Sequence, residues 1–347
     1  MKIINTALCS FGMSGCVFHA PFINVHPSFK LKGAWERSKK LIQQKYPDAV
    51  SYSSYEELLA DKDVDLVVVN TPNYTHYEYA KLALQAGKDI IVEKPFTITA
   101  EEAKELIAIA DKENKLISVF QSRRYDSDFR TVKKVVQQNL LGEIVEAEIH
   151  YDRFNEALSP KQHKEIPGPG TGILYDLGSH LIDQALQLFG MPQAVFADLG
   201  IVRPISLVED YMEVLLYYPN IRVRLKGTYL AREIFPSYVL HGSKGSFLKS
   251  RADIQEANLQ ALVSPADANW GVEPETEQGI LHTEKEGKII REHVPTEKGN
   301  YVDYYEGVYQ ALIHKTQPPV SAQDGLNVIK VIEAAYKSNN EKCVAPL

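Results

Sequence analysis

Apolar positions in the first third of the chain form short runs that alternate with amphipathic, helical stretches. The runs at residues 3–9, 29–35, 66–69, 90–92 and 116–120 predict strands. The run at 66–69 is continuous and β-branched, which is typical of a strand buried on both faces. Strands that alternate with helices predict an α/β domain with a doubly wound, mostly parallel sheet over residues 1–122.

The pattern changes after residue 122, where closely spaced alternating runs predict a large, mostly antiparallel sheet. Residues 123–347 therefore form a second, α+β domain. A glycine- and proline-rich loop at 167–172 leads into a helix over 174–189. The last helix is expected at about 321–338, and its apolar face would pack back on the first domain.

Length and charge narrow the class of protein. A chain of 347 residues is long enough for two domains, and 38 basic against 45 acidic residues give a net charge of −7. This balance argues against nucleic acid as a partner. The sequence contains neither a signal-peptide pattern nor an apolar run long enough to span a membrane. Three cysteines without zinc-ligand spacing suit the reducing cytoplasm, and no metal site is expected.

The first predicted strand ends in a variant of the dinucleotide-binding fingerprint. Ser10, Gly12 and Gly15 occupy the three glycine positions of G-x-G-x-x-G. Gly12 would let a pyrophosphate approach the backbone, and Gly15 would let helix and strand pack closely. An ordinary strand–helix turn explains the same residues about as well when the motif is taken alone.

The end of the second strand bears on the choice of cofactor. Glu36 would accept hydrogen bonds from ribose hydroxyls, which favours NAD. Arg37 and Ser38 follow immediately and could hold the 2′-phosphate of NADP. The sequence therefore favours NAD and leaves NADP open.

Lys94 lies where open α/β sheets bind ligands, at the carboxyl end of a predicted strand. Pro95 fixes its own φ and could follow a cis bond, so Lys94 is held in one direction. The same sheet edge collects Thr71, Asn73 and Gln121.

The helix after the glycine-rich loop carries Asp176, His180 and Asp183. Asp176 and His180 are four residues apart and would project from one helical face. A carboxylate beside an imidazole suits proton transfer near neutral pH. Taken alone, these residues are better explained by a helix-dipole partner and a buried structural histidine, whereas a metal site would be poorly supplied with ligands.

Together these motifs resemble the Gfo/Idh/MocA family of NAD(P)-dependent oxidoreductases, and within it the branch of bacterial scyllo-inositol dehydrogenases. The resemblance covers nearly the whole chain. It rests on five ordered motifs, at residues 11–21, 71–76, 93–95, 123–126 and 175–180. The branch tends to carry Ser-Arg where this chain has Glu36 and Arg37, and often a tryptophan at Tyr125. The resemblance to the family implies an N-terminal Rossmann domain and a C-terminal α/β domain.

The resemblance also implies roles for single residues. Lys94 would hydrogen-bond the reacting oxygen, and His180 would act as general base with Asp176 orienting it. The residues expected at the cofactor are Phe11, Gly12, Met13, Ser14, Gly15, Glu36, Arg37, Thr71, Asn73, His76, Glu93, Lys94 and Gln121. The residues expected to shape a sugar pocket are Arg124, Tyr151, Asp152 and Arg153.

The implied activity is hydride transfer between a hydroxyl carbon of a sugar, inositol or related polyol and a nicotinamide. A sensor or scaffold that kept the fold and lost turnover is the alternative. Family resemblance also implies a homodimer or homotetramer formed through the C-terminal sheet. Met212, Val214, Leu216, Val223 and Leu225 would line its open face, unless they face the domain's own helices.

Overall fold

The computed structural model describes residues 2–36, 39–233 and 235–347, except the side chains of Gln162 and His163. Arg37 and Ser38, which bear on the NADP alternative, lie outside the described residues. In the part of the chain that is described, no helix combines the length and the apolar character needed to cross a membrane.

The strands fall into two sheets. In chain order they are β1 Ile4–Leu8, β2 Phe29–Trp35, β3 Val50–Tyr52, β4 Leu66–Val69, β5 Asp89–Glu93, β6 Ile117–Phe120, β7 Ile144–Asp152, β8 Ala194–Gly200, β9 Tyr211–Tyr217, β10 Arg222–Thr228, β11 Tyr238–Gly242, β12 Gly245–Lys249, β13 Gly279–Lys285, β14 Lys288–Val294 and β15 Ala345–Pro346.

The α-helices alternate with these strands in the first part of the chain and frame the second sheet. They are α1 Ala20–Val25, α2 Leu41–Lys45, α3 Tyr55–Ala60, α4 His76–Gln85, α5 Ala100–Glu113, α6 Ser127–Gln137, α7 Gln162–Glu165, α8 Ser179–Phe189, α9 Gln255–Gln260, α10 Val302–His314 and α11 Ala322–Glu341.

The first sheet is parallel throughout, with strand order β3-β2-β1-β4-β5-β6. Strand β4 is completely buried, as its continuous apolar run predicts. The prediction of a doubly wound parallel sheet is therefore confirmed. Strand β3 was not predicted, so Glu93 ends the fifth strand of this sheet instead of the fourth.

Side-chain N-caps explain where two of the helices that connect the strands of this sheet begin. Thr99 accepts a hydrogen bond from the backbone of Glu102, whose carboxylate accepts one from the backbone of Thr99. This is the predicted capping box at the start of α5. Ser54 caps α3 in the same way by accepting from the backbone of Glu57.

The second sheet has nine strands in the order β14-β13-β12-β11-β7-β10-β9-β8-β15. The neighbouring strands are antiparallel except β7 and β10, which run parallel. The predicted large, mostly antiparallel sheet is confirmed.

One face of the second sheet is covered from within its own domain. The set predicted for the open face, Met212, Val214, Leu216, Val223 and Leu225, is fully buried. Met212 lies against the residues of the glycine-containing segment that precedes α8. The alternative, that this set faces the domain's own elements, is the correct one. The opposite face of the sheet, on which Glu148 and Leu215 lie, is called the open face below.

The chain divides into two compact units, each built from several segments. The first contains residues 1–122, 255–270 and 300–326, and the second contains residues 123–254, 271–299 and 327–347. The first change of unit falls at the predicted domain boundary. Helix α11 begins in the first unit, where Gly325 lies against Phe96 and Val119, and continues in the second.

Candidate cofactor and catalytic residues

The loop at residues 10–15, called the phosphate loop below, is held by short hydrogen bonds at its start. The hydroxyl of Ser10 accepts from the backbone N–H of Gly12 at 3.1 Å. Asn70, at the end of β4, accepts from the Ser10 N–H at 3.0 Å and donates to the Ser10 carbonyl at 2.8 Å. A serine thus replaces the first glycine of the fingerprint because its side chain and Asn70 together fix the turn.

The two glycines of the phosphate loop have different surroundings. A Cβ on Gly15 would lie 2.2 Å from the carbonyl oxygen of Ser10, so a side chain cannot fit there. A Cβ on Gly12 would meet only the Ser10 hydroxyl at 3.3 Å. Gly15 is therefore needed for packing, whereas Gly12 leaves open space beside the backbone, as a cofactor phosphate requires.

Other predicted residues of this loop differ in exposure. Phe11 is buried with its ring edge against Tyr46, at a centroid distance of 6.2 Å. Met13 is 46% exposed. Phe11 therefore anchors the loop, and Met13 lies at its accessible surface.

Glu93 ends β5 and connects the phosphate loop with the segment behind it. Its Oε1 accepts from the Ser14 hydroxyl at 2.5 Å and lies 3.0 Å from His19 Nε2. The other ring nitrogen of His19 lies 2.7 Å from the Tyr305 hydroxyl. Burial opposes ionisation of Glu93, but His19, Ser14 and the charge of Lys94 outweigh it and lower its pKa to about 2. Glu93 is therefore ionised at neutral pH.

Lys94 follows directly after β5, and the Lys94–Pro95 bond is cis. Its backbone N–H donates to Glu93 Oε2 at 3.2 Å. The cationic residue singled out by the sequence is thus fixed to the carboxylate that also holds the phosphate loop.

His76 is buried between two loops at the ends of neighbouring strands. Its Nδ1 lies 2.8 Å from the Pro95 carbonyl, and its Nε2 lies 3.0 Å from the Thr71 carbonyl. Burial lowers its pKa. Because both ring nitrogens face backbone carbonyls, His76 ties the Thr71 loop to the Pro95 loop, and direct contact with a cofactor stays a prediction.

The remaining residues at this edge have mixed environments. The Thr71 hydroxyl accepts from Thr75 at 2.7 Å, and Asn73 accepts from the backbone of Tyr74 at 3.0 Å. Gln121 follows β6 and is 2% exposed. Its Oε1 is buried and has no hydrogen-bond partner among the described residues. An orphaned buried acceptor fits an amide-bearing cofactor, since such atoms are rarely left unpaired.

Glu36, which is predicted to bind ribose hydroxyls, accepts hydrogen bonds from other residues of the protein. Its Oε1 accepts from the backbone of Leu41 at 2.7 Å. Its Oε2 accepts from the backbone of Ile42 at 3.2 Å and from the Ser51 hydroxyl at 3.1 Å. Glu36 therefore caps α2, and only its remaining lone pairs are available to a ribose.

In the second unit, Asp176 lies in a segment of π-helix at Leu174–Gly178 that leads into α8. The wider turn of a π-helix changes the four-residue spacing on which the pairing of Asp176 with His180 was based. The carboxylate of Asp176 accepts from Lys164 Nζ at 2.7 and 2.8 Å. His180 is 7% exposed on α8. The orientation of His180 by Asp176 stays a prediction.

The predicted sugar-pocket residues lie in three different environments. Arg124 forms a bidentate pair with Asp183 at 2.8 and 2.6 Å, which commits much of its guanidinium. Asp152 lies on the open face of the second sheet, 3.1 Å from His150 Nδ1. Tyr151 and Arg153 lie together on the other face, where the Arg153 guanidinium is 4.7 Å from the Tyr151 ring.

Comparison with known proteins gives this arrangement its context. Residues 4–121 match the family model "Oxidoreductase family, NAD-binding Rossmann fold", and residues 133–347 match "Oxidoreductase family, C-terminal alpha/beta domain". The chain belongs to the Gfo/Idh/MocA oxidoreductase family. A nicotinamide cofactor and oxidoreductase chemistry follow at the level of the family.

Three relatives of the family match over nearly their full length. A solved structure of an oxidoreductase from Bacteroides fragilis is 48% identical with a TM-score of 0.92 and covers 100% of both chains. An uncharacterised oxidoreductase of Schizosaccharomyces pombe is 39% identical over 98% of both chains. The scyllo-inositol 2-dehydrogenase (NADP(+)) IolW of Bacillus subtilis is 36% identical over 98% of this chain and 94% of its own.

Several residues that hold the candidate site residues in place were not predicted from the sequence. Asn70 holds the phosphate loop, Lys164 pairs with Asp176, and His19 contacts Glu93. His19 lies in the conspicuous run 18–21 directly after the loop, which is the one signal that could have pointed to its contact with Glu93. Among the described residues, no group of three His, Cys, Asp or Glu side chains could hold a metal ion.

Proposed function

We propose that this protein is an NAD(P)-dependent dehydrogenase that transfers a hydride between a hydroxyl carbon of a sugar, inositol or related polyol and the nicotinamide. The observation that carries the proposal is Lys94 at the carboxyl end of β5, in a chain that matches this oxidoreductase family over both halves. The name of the relative IolW, which acts on scyllo-inositol, supports a polyol as substrate.

The first unit supplies the groups that would hold the cofactor. Gly12 and the backbone around it would receive the pyrophosphate, and Gln121 Oε1 would accept from the carboxamide. When bound, the nicotinamide supplies the hydride acceptor or donor. Glu36 favours NAD through the acceptor capacity that remains after it has capped α2.

Proton transfer requires an acid–base pair, for which the chain offers Lys94 and His180. Lys94 would donate a hydrogen bond to the reacting oxygen and stabilise the negative charge that develops there. His180 would accept the hydroxyl proton during oxidation and return it during reduction. Asp176, paired with Lys164, would tune this step through its charge.

The proposal is tested by the absorbance of NADH and NADPH with a panel of inositols and aldoses. We expect Lys94→Ala to lower kcat by about 100- to 10,000-fold, the range for loss of an acid–base or electrostatic group. Lys104→Ala is the matched control, because Lys104 is an exposed lysine of the same unit that pairs with Glu101. Equal turnover by the Lys94 variant and the parent contradicts the assignment.

Turnover also separates the enzyme from the sensor alternative. A sensor would bind NAD(H) or NADP(H) and a sugar without changing the absorbance of either nicotinamide. Calorimetric binding of both ligands with no turnover across the panel would favour that alternative and reject the dehydrogenase.

A further inference from the structure

Cationic side chains gather around one buried tyrosine in the second unit. Tyr151 lies near the end of β7 and is 8% exposed. The guanidinium groups of Arg123, Arg153 and Arg251 lie 5.4, 4.7 and 4.6 Å from the centre of its ring. Three positive charges on one aromatic ring need compensation from nearby acids or from a ligand.

Two of these guanidinium groups have acceptors or acidic residues close to them within the unit. Arg123 pairs with the buried Asp126 at 3.2 Å. Arg251 donates to Gln184 Oε1 at 3.1 Å and to the His150 carbonyl at 3.3 Å. The negative charges of Asp126 and of its neighbour Asp128 also lie close enough to stabilise the Arg251 guanidinium.

Arg153 differs from the other two. Its side chain donates to the Tyr151 hydroxyl at 3.1 Å, and Arg153 as a whole residue is exposed. Within residues 2–36, 39–233 and 235–347 no carboxylate pairs with it. The tyrosine ring and hydroxyl therefore hold the guanidinium of an exposed residue in place, and the hydrogen bond to Tyr151 leaves other N–H donors of this group for a ligand.

Arg153 also lies near Tyr229, a residue on which the charge of the candidate catalytic residue Asp176 acts. Its backbone N–H donates to Thr228 at the end of β10, and the next residue is Tyr229. Burial raises the pKa of Tyr229 to about 12, the charge of Asp176 adds to this effect, and the charge of Arg153 opposes it. The charges of Arg153 and Asp176 thus both act on Tyr229.

We propose that Arg153 binds an anionic group of the substrate, so that the preferred substrate is a sugar carrying a carboxylate or a phosphate instead of a neutral polyol. The inference rests on the proposed dehydrogenase function and specifies its substrate class. A guanidinium fixed by one aromatic side chain offers paired N–H donors, which match the paired oxygens of either anion.

The test compares substrates that differ in the anionic group. Glucose, glucuronate and glucose 6-phosphate form one series, and myo-inositol with inositol monophosphate forms a second. In the parent we expect kcat/KM to be at least about 10-fold higher for an anionic member than for its neutral partner, as one charge-assisted pair gives. The member that is preferred distinguishes carboxylate from phosphate.

Variants then assign the preference to one side chain. Arg153→Gln should raise KM about 10- to 100-fold more for the anionic substrate than for its neutral partner, since only the anionic substrate loses a charged contact. Arg153→Lys, which keeps the charge, should recover part of the loss. Arg232→Gln is the matched control, because Arg232 is an exposed arginine that stacks on Phe154 at 3.8 Å.

The outcomes distinguish failure of this inference from failure of the proposed function. Turnover of neutral members with no preference for anionic ones overturns the inference and leaves the dehydrogenase standing. An equal loss for both classes in Arg153→Gln also overturns it, because it indicates a structural role. No turnover of any member with NAD or NADP rejects the dehydrogenase and the inference with it.

Discussion

Glu93 combines contacts that come from three parts of the first unit. It holds Ser14 of the phosphate loop, His19 behind that loop and the backbone of Lys94. A carboxylate with several donors is held in its ionised form, which explains the lowered pKa. Glu93 therefore positions the phosphate loop and Lys94, and its contact with a cofactor stays a prediction.

This arrangement makes a pH-dependent prediction for Glu93→Gln. A carboxyl whose pKa falls from 4.5 to about 2 on folding stabilises the fold above pH 4.5 and loses that contribution as the pH falls towards 2. At pH 7 the variant should therefore unfold at a lower temperature than the parent. The difference between their thermal midpoints should narrow as the pH falls below 4.5.

The matched control is Glu101→Gln, which removes an exposed carboxylate of the same unit that pairs with Lys104. Thermal unfolding of this variant should follow the parent at every pH, because exposed ion pairs contribute little. A difference between the Glu93 variant and the parent that stays constant from pH 7 to pH 3 would contradict the role of the carboxylate charge.

Residues that act through local sequence could be predicted, and residues that act across the fold could not. Gly12, Gly15 and Lys94 each follow a strand, where the chemistry of a short motif determines their position. Asn70 meets Ser10 from 60 residues away, and His19 meets Glu93 from 74 residues away. Such contacts depend on the order of strands in the sheet, which a single motif does not contain.

At the scale of an element, substitutions at the two glycines of the phosphate loop separate an effect on packing from an effect on cofactor binding. Gly15→Ala places a Cβ 2.2 Å from the Ser10 carbonyl and should lower the thermal midpoint as well as cofactor binding. Gly12→Ala meets only a hydroxyl at 3.3 Å, so it should fold normally and bind NAD(H) or NADP(H) more weakly.

Thermal unfolding and fluorescence titration of the nicotinamide measure the two effects, and each variant serves as the control for the other. Equal stability of both variants would show that strand and helix do not need the close approach at Gly15. Unchanged cofactor affinity in Gly12→Ala would remove the phosphate loop from the binding site.

Helices and strands with a clear sequence pattern could be predicted, and short or irregular segments could not. The buried run of β4 and the capping box of α5 are visible in the sequence. Strand β3 has only three residues, beginning with an exposed Val50, and offers no alternation to recognise. The π-helical segment before α8 is five residues long, too short for its period to differ visibly from that of an α-helix.

At the scale of the whole molecule, the sequence predicts two folds and their order along the chain. It predicts that the last helix packs back on the first domain, but not that residues 255–270 and the part of 300–326 before that helix belong to the first unit. These segments carry Trp270, Tyr301 and Tyr305, whose rings contact Phe22 of the first unit. Aromatic side chains indicate burial, but only the fold determines which core receives them.

The open face of the second sheet is the surface on which we propose that copies of this chain assemble. Leu215 lies there between Phe196 and Arg224 on the neighbouring strands, and Arg224 pairs with Glu148 and Glu213. Apolar and paired charged side chains alternate on this face, which suits an interface between identical copies.

We expect sedimentation to detect a dimer or tetramer at micromolar concentration. Leu215→Glu should shift the protein towards monomer, since it puts a charge in place of an apolar side chain on this face. Leu262→Glu is the matched control, because Leu262 is 76% exposed and belongs to the first unit. Unchanged circular dichroism would exclude unfolding as the cause. A parent that sediments as a monomer, or a Leu215 variant that stays assembled, would move the interface away from this sheet.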